Sequence, residues 1–507
     1  MEEQLLEERY RSYLRGLPEA RLRALAARYA QAAAESGLKV LQPDGRSWPI
    51  PPSLTPFVEQ PDNAQARSQL AHHLLSGVEK TARFFLGGAG RSEAEAIFTG
   101  LSRWERQLVA ETWHLGGTVA LARADFFTDE RGVDRPLEMN STIPAMAGYG
   151  DLVAQAFVLA VAQEAGMSPE RAQQLVQHNG SNVDDLRLSL LSHLRQLGCE
   201  SQRVTVAVVA RPQDAQSSEL AHICQRFIAA GLIAHRCTPD QLAMDERQRP
   251  TLMHQPVDLI YRHVFARNVA DDLPFARMLR DPLRYRILNP PNSQLEVKAI
   301  FAELSEAGDD PARAQALGLD PYEITAAQRI PWSRRLRAGP STDSDREPIA
   351  DLVAHAVQRP AELVLKRSWG YGGTSVLLGD EIDSDSGQAK AQAMAGGAEG
   401  PGAEQPAQPP LTWAKLLEHC TRQGGFVLQR KVSSTPQTHL VPGPLGPEWT
   451  SWYVDVSAFT NLGADPRPSG GVRRGSKQRI VNIVAGGGLV PSIHASVMAA
   501  LLEAIGV

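Results

Sequence analysis

Lysine and closely spaced cysteine are both scarce in this chain, and each shortage removes a class of explanation. The four cysteines, Cys199, Cys224, Cys237 and Cys420, lie far apart and form no CxxC pair. Neither a zinc site nor a disulfide framework is predicted, and they read as ordinary reduced thiols. No run of about eighteen apolar residues occurs, so no membrane-spanning helix is expected. The acidic start Met1-Glu-Glu-Gln-Leu-Leu-Glu-Glu lacks the basic and apolar regions of a secretory leader, which makes the cytoplasm the expected location. Basic charge is not in excess either: a formal net charge of −5 and a pI near 6.3 give no electrostatic case for nucleic acid. Both the GxxxxGK[ST] phosphate loop and the dinucleotide glycine fingerprint are missing. Of the 52 basic side chains only eight are lysine. Against that arginine bias, a lysine kept inside an apolar strand, Leu363-Val-Leu-Lys366, stands out from a strand-end lysine that simply reaches for solvent.

With 507 residues and 43% hydrophobic content, the chain can bury a large core in two or three packed subdomains. Apolar positions at helical spacing (Leu5, Leu6, Tyr10, Leu14, then Leu22, Leu25, Tyr29) predict two helices broken by Pro18. Residues 1–110 form this N-terminal helical region, with helices resuming over 64–80 and 92–113 after a proline-rich connector at 48–56. Residues 111–165 hold a strand over Val119–Phe127, a turn at Asp129–Gly132, a strand over Pro136–Asn140, and a helix over 151–165. Between 166 and 290, a helix at 182–197, a buried strand at Val204–Ala210, a helix at 217–230 and strands at Leu232–Cys237 and Val257–Tyr261 predict a small parallel-sheet subdomain. Residues 291–507 complete the chain. Within them, 381–411 is rich in Asp, Ser, Ala, Gly, Gln and Pro, which predicts a disordered insertion, and 338–347 reads as a shorter loop. The fold class expected is α/β (α+β), without internal repeats.

The chemistry concentrates in short motifs. Arg123-Ala-Asp125 precedes Glu138-Met-Asn140, and if the two strands are neighbours, Asp125, Glu138 and Asn140 can face one cavity, because positions 138 and 140 share a face. Two carboxylates, a carboxamide oxygen and an arginine suit a hard cation such as Mg²⁺ beside phosphate groups. A lone Glu-x-Asn is more often a strand with solvated polar positions, so the rest of the chain decides. Gly370, Gly372 and Gly373, just after Lys366, allow positive φ and close approach of backbone amides to phosphate oxygens. Trp369 and Tyr371 are placed to cover a nucleotide. Arg262 and His263 end a strand, where ligands of open α/β sheets tend to bind, although a hydrogen-bonded strand-end histidine is the commoner case.

In order along the chain, Arg123-Ala-Asp125, Pro136-Leu-Glu138-Met-Asn140-Ser141-Thr142-Ile-Pro144, Asn289 to Lys298, Leu363 to Thr374, Phe426-Val-Leu-Gln429-Arg-Lys431-Val432 and Gly470-Gly-Val-Arg473-Arg474-Gly-Ser476 resemble the motifs of glutathionylspermidine synthetases and the wider circularly permuted ATP-grasp proteins. The metal strands lead and the lysines follow, which is the permuted order. The resemblance covers roughly residues 110–150 and 255–495. It implies a circularly permuted ATP-grasp fold with an additional small α/β subdomain and N-terminal helices, and ATP and Mg²⁺ as cofactors. Lys298 and Lys366 would neutralise phosphates, the glycines would cover them, and the main chain from Gln429 through Lys431 to Val432 would meet adenine. Asp125, Glu138 and Asn140 would hold Mg²⁺, and Arg123 would stabilise the transferred phosphoryl group.

The same resemblance implies an ATP-dependent carboxylate-amine ligase acting through an acylphosphate, with small-molecule or peptide acid and amine substrates. Arg473 or Arg474 would stabilise the tetrahedral intermediate, and Ser141, Thr142 and Arg262 would touch the acid. Ser-Thr-Ile-Pro replaces the Ala-Asp-Thr-Pro of the glutathionylspermidine enzymes and no amidase domain is visible, which argues against glutathione and spermidine as substrates. A phosphotransferase on the same scaffold and a nucleotide-binding protein without turnover stay open as alternatives.

Overall fold

The computed structural model describes residues 2–507 apart from 43, 116–118, 202, 294–295, 371–372, 374, 397–408, 444, 464–469 and 484–485. Helices Glu2–Gly16 and Glu19–Glu35 meet at Pro18, as the apolar spacing predicts. Their buried Tyr10 and Tyr29 rings stand edge-on to Phe157, at centroid separations of 5.6 and 5.9 Å. Phe157 belongs to helix Ala147–Glu164, which is apolar on nearly every side and buried along most of its length, the expected fate of a helix with no polar face.

Three sheets organise the rest. The central, antiparallel sheet runs in the order Gly488–Val490, Gly471–Ser476, Gly446–Thr460, Ala122–Thr128, Asp134–Asn140, with Gln437–Gly443 paired to the long third strand. It therefore joins segments from the first third and the last eighth of the chain. Ala122–Thr128 and Asp134–Asn140 form a hairpin whose register sets Asp125 opposite Glu138 and Arg123 opposite Asn140. Its turn is closed by Asp129, whose carboxylate accepts from the amides of Arg131 and Val133, and by Gly132 at φ +75°. Alternation sends Ala122, Ala124, Phe126 and Met139 into the core, which leaves Arg123, Asp125, Glu138 and Asn140 on the opposite face.

The second sheet is parallel, in the order Ile287–Leu288, Leu259–His263, Thr205–Ala210, Ile233–Cys237; its first three strands are almost entirely buried, as the continuous apolar run at 204–210 predicts, and the edge strand exposes His235 and Arg236. The third is antiparallel, in the order Ser333–Arg335, Phe426–Arg430, Leu363–Arg367, Val376–Leu378. One of its faces packs Leu363, Leu365, Phe426 and Leu428 on Trp413, Leu416 and Leu417, and the other carries Lys366 and Gln429 toward the central sheet. Among the described residues no helix is long and apolar enough to cross a membrane.

The reading of 381–411 as a disordered insertion is corrected in its first half. Asp385–Gly396 is a helix, rich in the good helix formers Ala, Gln, Lys and Met. It buries Ala391 and Met394 beside Ile382 and Trp413, and Gln388 clamps it by bonding the backbone of Ile382 and Leu411. Residues 397–408 lie outside the described residues. If the helix is part of the core, Met394→Ala should lower unfolding free energy by about 2–5 kcal/mol, the range for a buried methionine; an unchanged urea midpoint would return the segment to a passive loop.

Candidate functional site

The polar face of the hairpin becomes a site because the long strand Gly446–Thr460 lies beside it. Ser457 pairs with Asp125, and Asp455 pairs with Arg474 on the next strand over. The result is a buried row of alternating charge. Arg123 grips Asp125 with two parallel bonds, Nε to Oδ1 at 2.7 Å and Nη2 to Oδ2 at 3.0 Å, and its Nη1 donates to the Ala145 carbonyl at 2.6 Å. Asp125 also accepts from Ser457 Oγ (2.9 Å), Asn140 Nδ2 (3.1 Å) and Arg474 Nη2 (3.0 Å). Arg474 in turn forks onto Asp455, Nε to Oδ1 at 3.0 Å and Nη2 to Oδ2 at 2.5 Å. Burial works against charge on Asp125, but the two guanidiniums and the serine hydroxyl outweigh it and hold the carboxyl well below its ordinary range. Burial likewise opposes charge on Arg474, and Asp455 and Asp125 overcome it, so the guanidinium stays firmly protonated.

Above this floor stand the two lysines. Lys298 opens helix Lys298–Asp309; its backbone amide donates to the Ser368 carbonyl, and its ammonium lies 3.2 Å from Glu138 and 2.9 Å from the Gly370 carbonyl. Lys366 reaches from the third sheet to the Leu137 carbonyl at 3.4 Å, where Gln429 Nε2 also points. Burial pushes the Lys366 ammonium down to about 8, with Glu138 resisting. Glu138 is itself held low, since Lys298, Lys366 and Arg474 together outweigh its desolvation. Lys298 and Lys366, 160 and 228 residues along the chain from Glu138, thus bring two ammonium groups to one carboxylate.

Magnesium fits only part of the proposed donor set. Asp125 already receives five hydrogen bonds from four side chains, which fills the capacity of a carboxylate. Among the described residues no group of three or more His, Cys, Asp or Glu side chains is arranged to hold a metal ion. Glu138 is partly exposed, and with Asn140 on the same strand face it offers the carboxylate-plus-amide oxygen pair that Mg²⁺ accepts when phosphates and water complete its shell.

Other sequence-chosen residues scatter. Arg473 points to the opposite face, where it pairs with Glu59 at 2.6 Å and Ser492 at 2.6 Å and lies over the Phe57 ring, so only Arg474 of the two arginines reaches the charged row. Arg262 is buried and donates to the carbonyls of Asn289, Pro290 and Val264, a brace between segments in place of a substrate contact. His263 bonds Gln216 at 2.8 Å. Ser141 and Thr142 are buried, and their amides donate to Glu296 at 2.7 and 3.0 Å. Trp369 packs edge-on to Phe265 in the core, which corrects its assignment as a nucleotide cover. Gly373 has φ +68°, and a Cβ there would stand 2.8 Å from Ile480, so two constraints favour glycine. Gly372 and Tyr371 lie outside the described residues. In the hinge, the amides of Arg430 and Lys431 already donate to Trp332 and Glu362, Lys431 Nζ pairs with Asp380 at 2.6 Å, and Val432 follows partly buried. Asp455 and Ser457 were missed; the signal was there in the alternation Asp455-Val-Ser457-Ala, a polar face on an apolar strand.

No family model and no curated protein matches the sequence. Among solved structures, the chain is similar to a glutathione synthetase-like effector from Globodera pallida in its apo form. The two are 12% identical with a TM-score of 0.57, over 94% of this chain and 98% of that one. This chain has a glutathione synthetase-like fold. The likeness extends through nearly the whole of both chains.

Because Arg473 serves an ion pair remote from the row, Arg473→Ala should destabilise the protein by about 3–5 kcal/mol, as expected when one partner of a buried pair is removed. Adding Glu59→Ala should cost less than the sum of the single changes in a thermal-unfolding cycle; strict additivity would disprove the pairing.

Proposed function

We propose that this chain is an ATP- and Mg²⁺-dependent carboxylate-amine ligase of the circularly permuted ATP-grasp type. The observation that carries the proposal is the convergence of Lys298 and Lys366, from two distant segments, on Glu138 above a buried floor of paired arginines and aspartates. Fixed cations of that kind suit a polyphosphate, whose transfer depends mainly on positioning and electrostatics. In the proposed reaction a substrate carboxylate oxygen bonds to the γ-phosphorus as ADP leaves. An amine then attacks the acyl carbon, loses a proton and displaces phosphate, leaving an amide. Lys298 and Lys366 neutralise the phosphates, and Arg474 faces the charge that develops as they react. Glu138 and Asn140 would hold Mg²⁺, which supplies further neutralisation of phosphate charge when bound. The acid and amine are unidentified small molecules or peptides.

The saturation of Asp125 favours a second reading, a nucleotide-binding protein without turnover. Incubating purified protein with Mg-ATP and a pool of amino acids, short peptides and polyamines separates the two, because ADP with a new condensed mass is the ligase signature. A phosphorylated metabolite would instead reveal a phosphotransferase, and unchanged ATP despite binding would favour the second reading. In the ligase, Glu138→Gln should lower turnover by at least about 10²-fold with the fold retained, the scale for losing a partner of transition-state charge; near-normal turnover would remove Glu138 from the site.

Lys366 adds a pH signature. Its ammonium titrates at about 8 in the free protein, and a bound phosphate raises that value. Nucleotide binding near pH 8 should therefore take up a proton, and affinity should fall as pH rises above about 8. Calorimetry in two buffers of different ionisation enthalpy measures this uptake, and Lys366→Met should abolish it.

A further inference from the structure

We propose that Asp455 is the positioning residue for Arg474, fixing the guanidinium so that its remaining nitrogen is offered to an anionic ligand. Asp455 is 4% exposed and carries no sequence motif, yet it takes both Nε and Nη2 of Arg474 in a fork that defines the plane of the guanidinium. Nη2 is shared with Asp125, which Arg123 and Ser457 hold in place from the other side. Nη1 of Arg474 makes no hydrogen bond to the described residues, and the side chain stays 16% exposed. Four charges therefore alternate along the row, Arg123, Asp125, Arg474, Asp455, and only one donor nitrogen of its last arginine is left uncommitted. Without Asp455, Arg474 keeps a single bond to Asp125 and regains freedom to turn its other nitrogens away. The ligand class is a phosphate-bearing anion, so the inference rests on the nucleotide reading above.

The test is a double-mutant cycle on Mg-ATP binding by calorimetry, with wild type, Arg474→Ala, Asp455→Asn and the double variant. Each single change should weaken binding on the order of 10-fold, the scale of one charge-assisted hydrogen bond. The double should be no weaker than the worse single, because Asp455 acts only through Arg474. Additive losses, or unchanged affinity in Asp455→Asn, would overturn the inference while leaving the nucleotide reading intact. Absence of Mg-ATP binding in wild type would overturn both. If Asp455→Asn fails to fold, Asp455→Glu retains the charge and shifts the fork by one methylene; a partial loss of affinity supports the positioning role, and wild-type affinity rejects it.

Discussion

The paired grip of Arg123 on Asp125 is the contact on which the site depends. A carboxylate held in a dry sheet face is stable only when its charge and lone pairs are met, and Asp125 meets them by drawing in groups from its own strand and three others. That requirement fixes the orientation of the Ala122–Asn140 hairpin against the Gly446–Thr460 strand and commits Arg474 to the same face. It also redistributes labour within the site. Asp125 organises the two arginines, while the partly exposed Glu138 is the carboxylate left to face the lysines.

The second organising contact runs between sheets. Lys366 and Gln429 come from the third sheet and both point at the Leu137 carbonyl of the central sheet, while Lys298 joins from the start of a helix. Ser368 accepts from the amides of that helix start through its carbonyl and hydroxyl, so the lysine strand and the lysine helix are joined at the root of the glycine-rich segment. Trp369, buried against Phe265, ties the same root to the chain that leaves the parallel sheet. The two lysines are in this way anchored to all three of the larger sheets.

Local periodicity made much of this legible. Arg123, Asp125, Glu138 and Asn140 were readable as one face because a strand alternates, and the hairpin turn announced itself through Asp129 and Gly132. The parallel subdomain followed from an apolar run too continuous for a half-exposed strand. What depended on long-range pairing was hidden. Arg473 and Arg474 differ by one position, and only the strand register against Asp455 tells which faces the row. The helix at 385–396 is rich in good helix formers, but its few large apolar side chains hid its packing, which comes from the long-range contacts of Met394 with Trp413 and of Gln388 with Leu411. Arg262 looked like a ligand group because a strand end is a usual place for one, whereas its partners are carbonyls of the neighbouring segment.

The central sheet has a consequence for biosynthesis. Asp125 and its partner Ser457 are 332 residues apart in the chain, and at ribosomal rates of about 5–20 residues per second the second emerges on the order of 15–70 s after the first. During that interval the nascent hairpin carries an unpaired strand edge, and until Arg474 is made Asp125 has no cationic partner beyond Arg123. The helical and parallel-sheet segments can collapse early, but the charged row forms among the last contacts of a non-local topology. An incomplete chain would thus hold the Ala122–Asn140 hairpin as an adhesive edge, a period in which association with other nascent chains or capture by a chaperone competes with closure of the sheet.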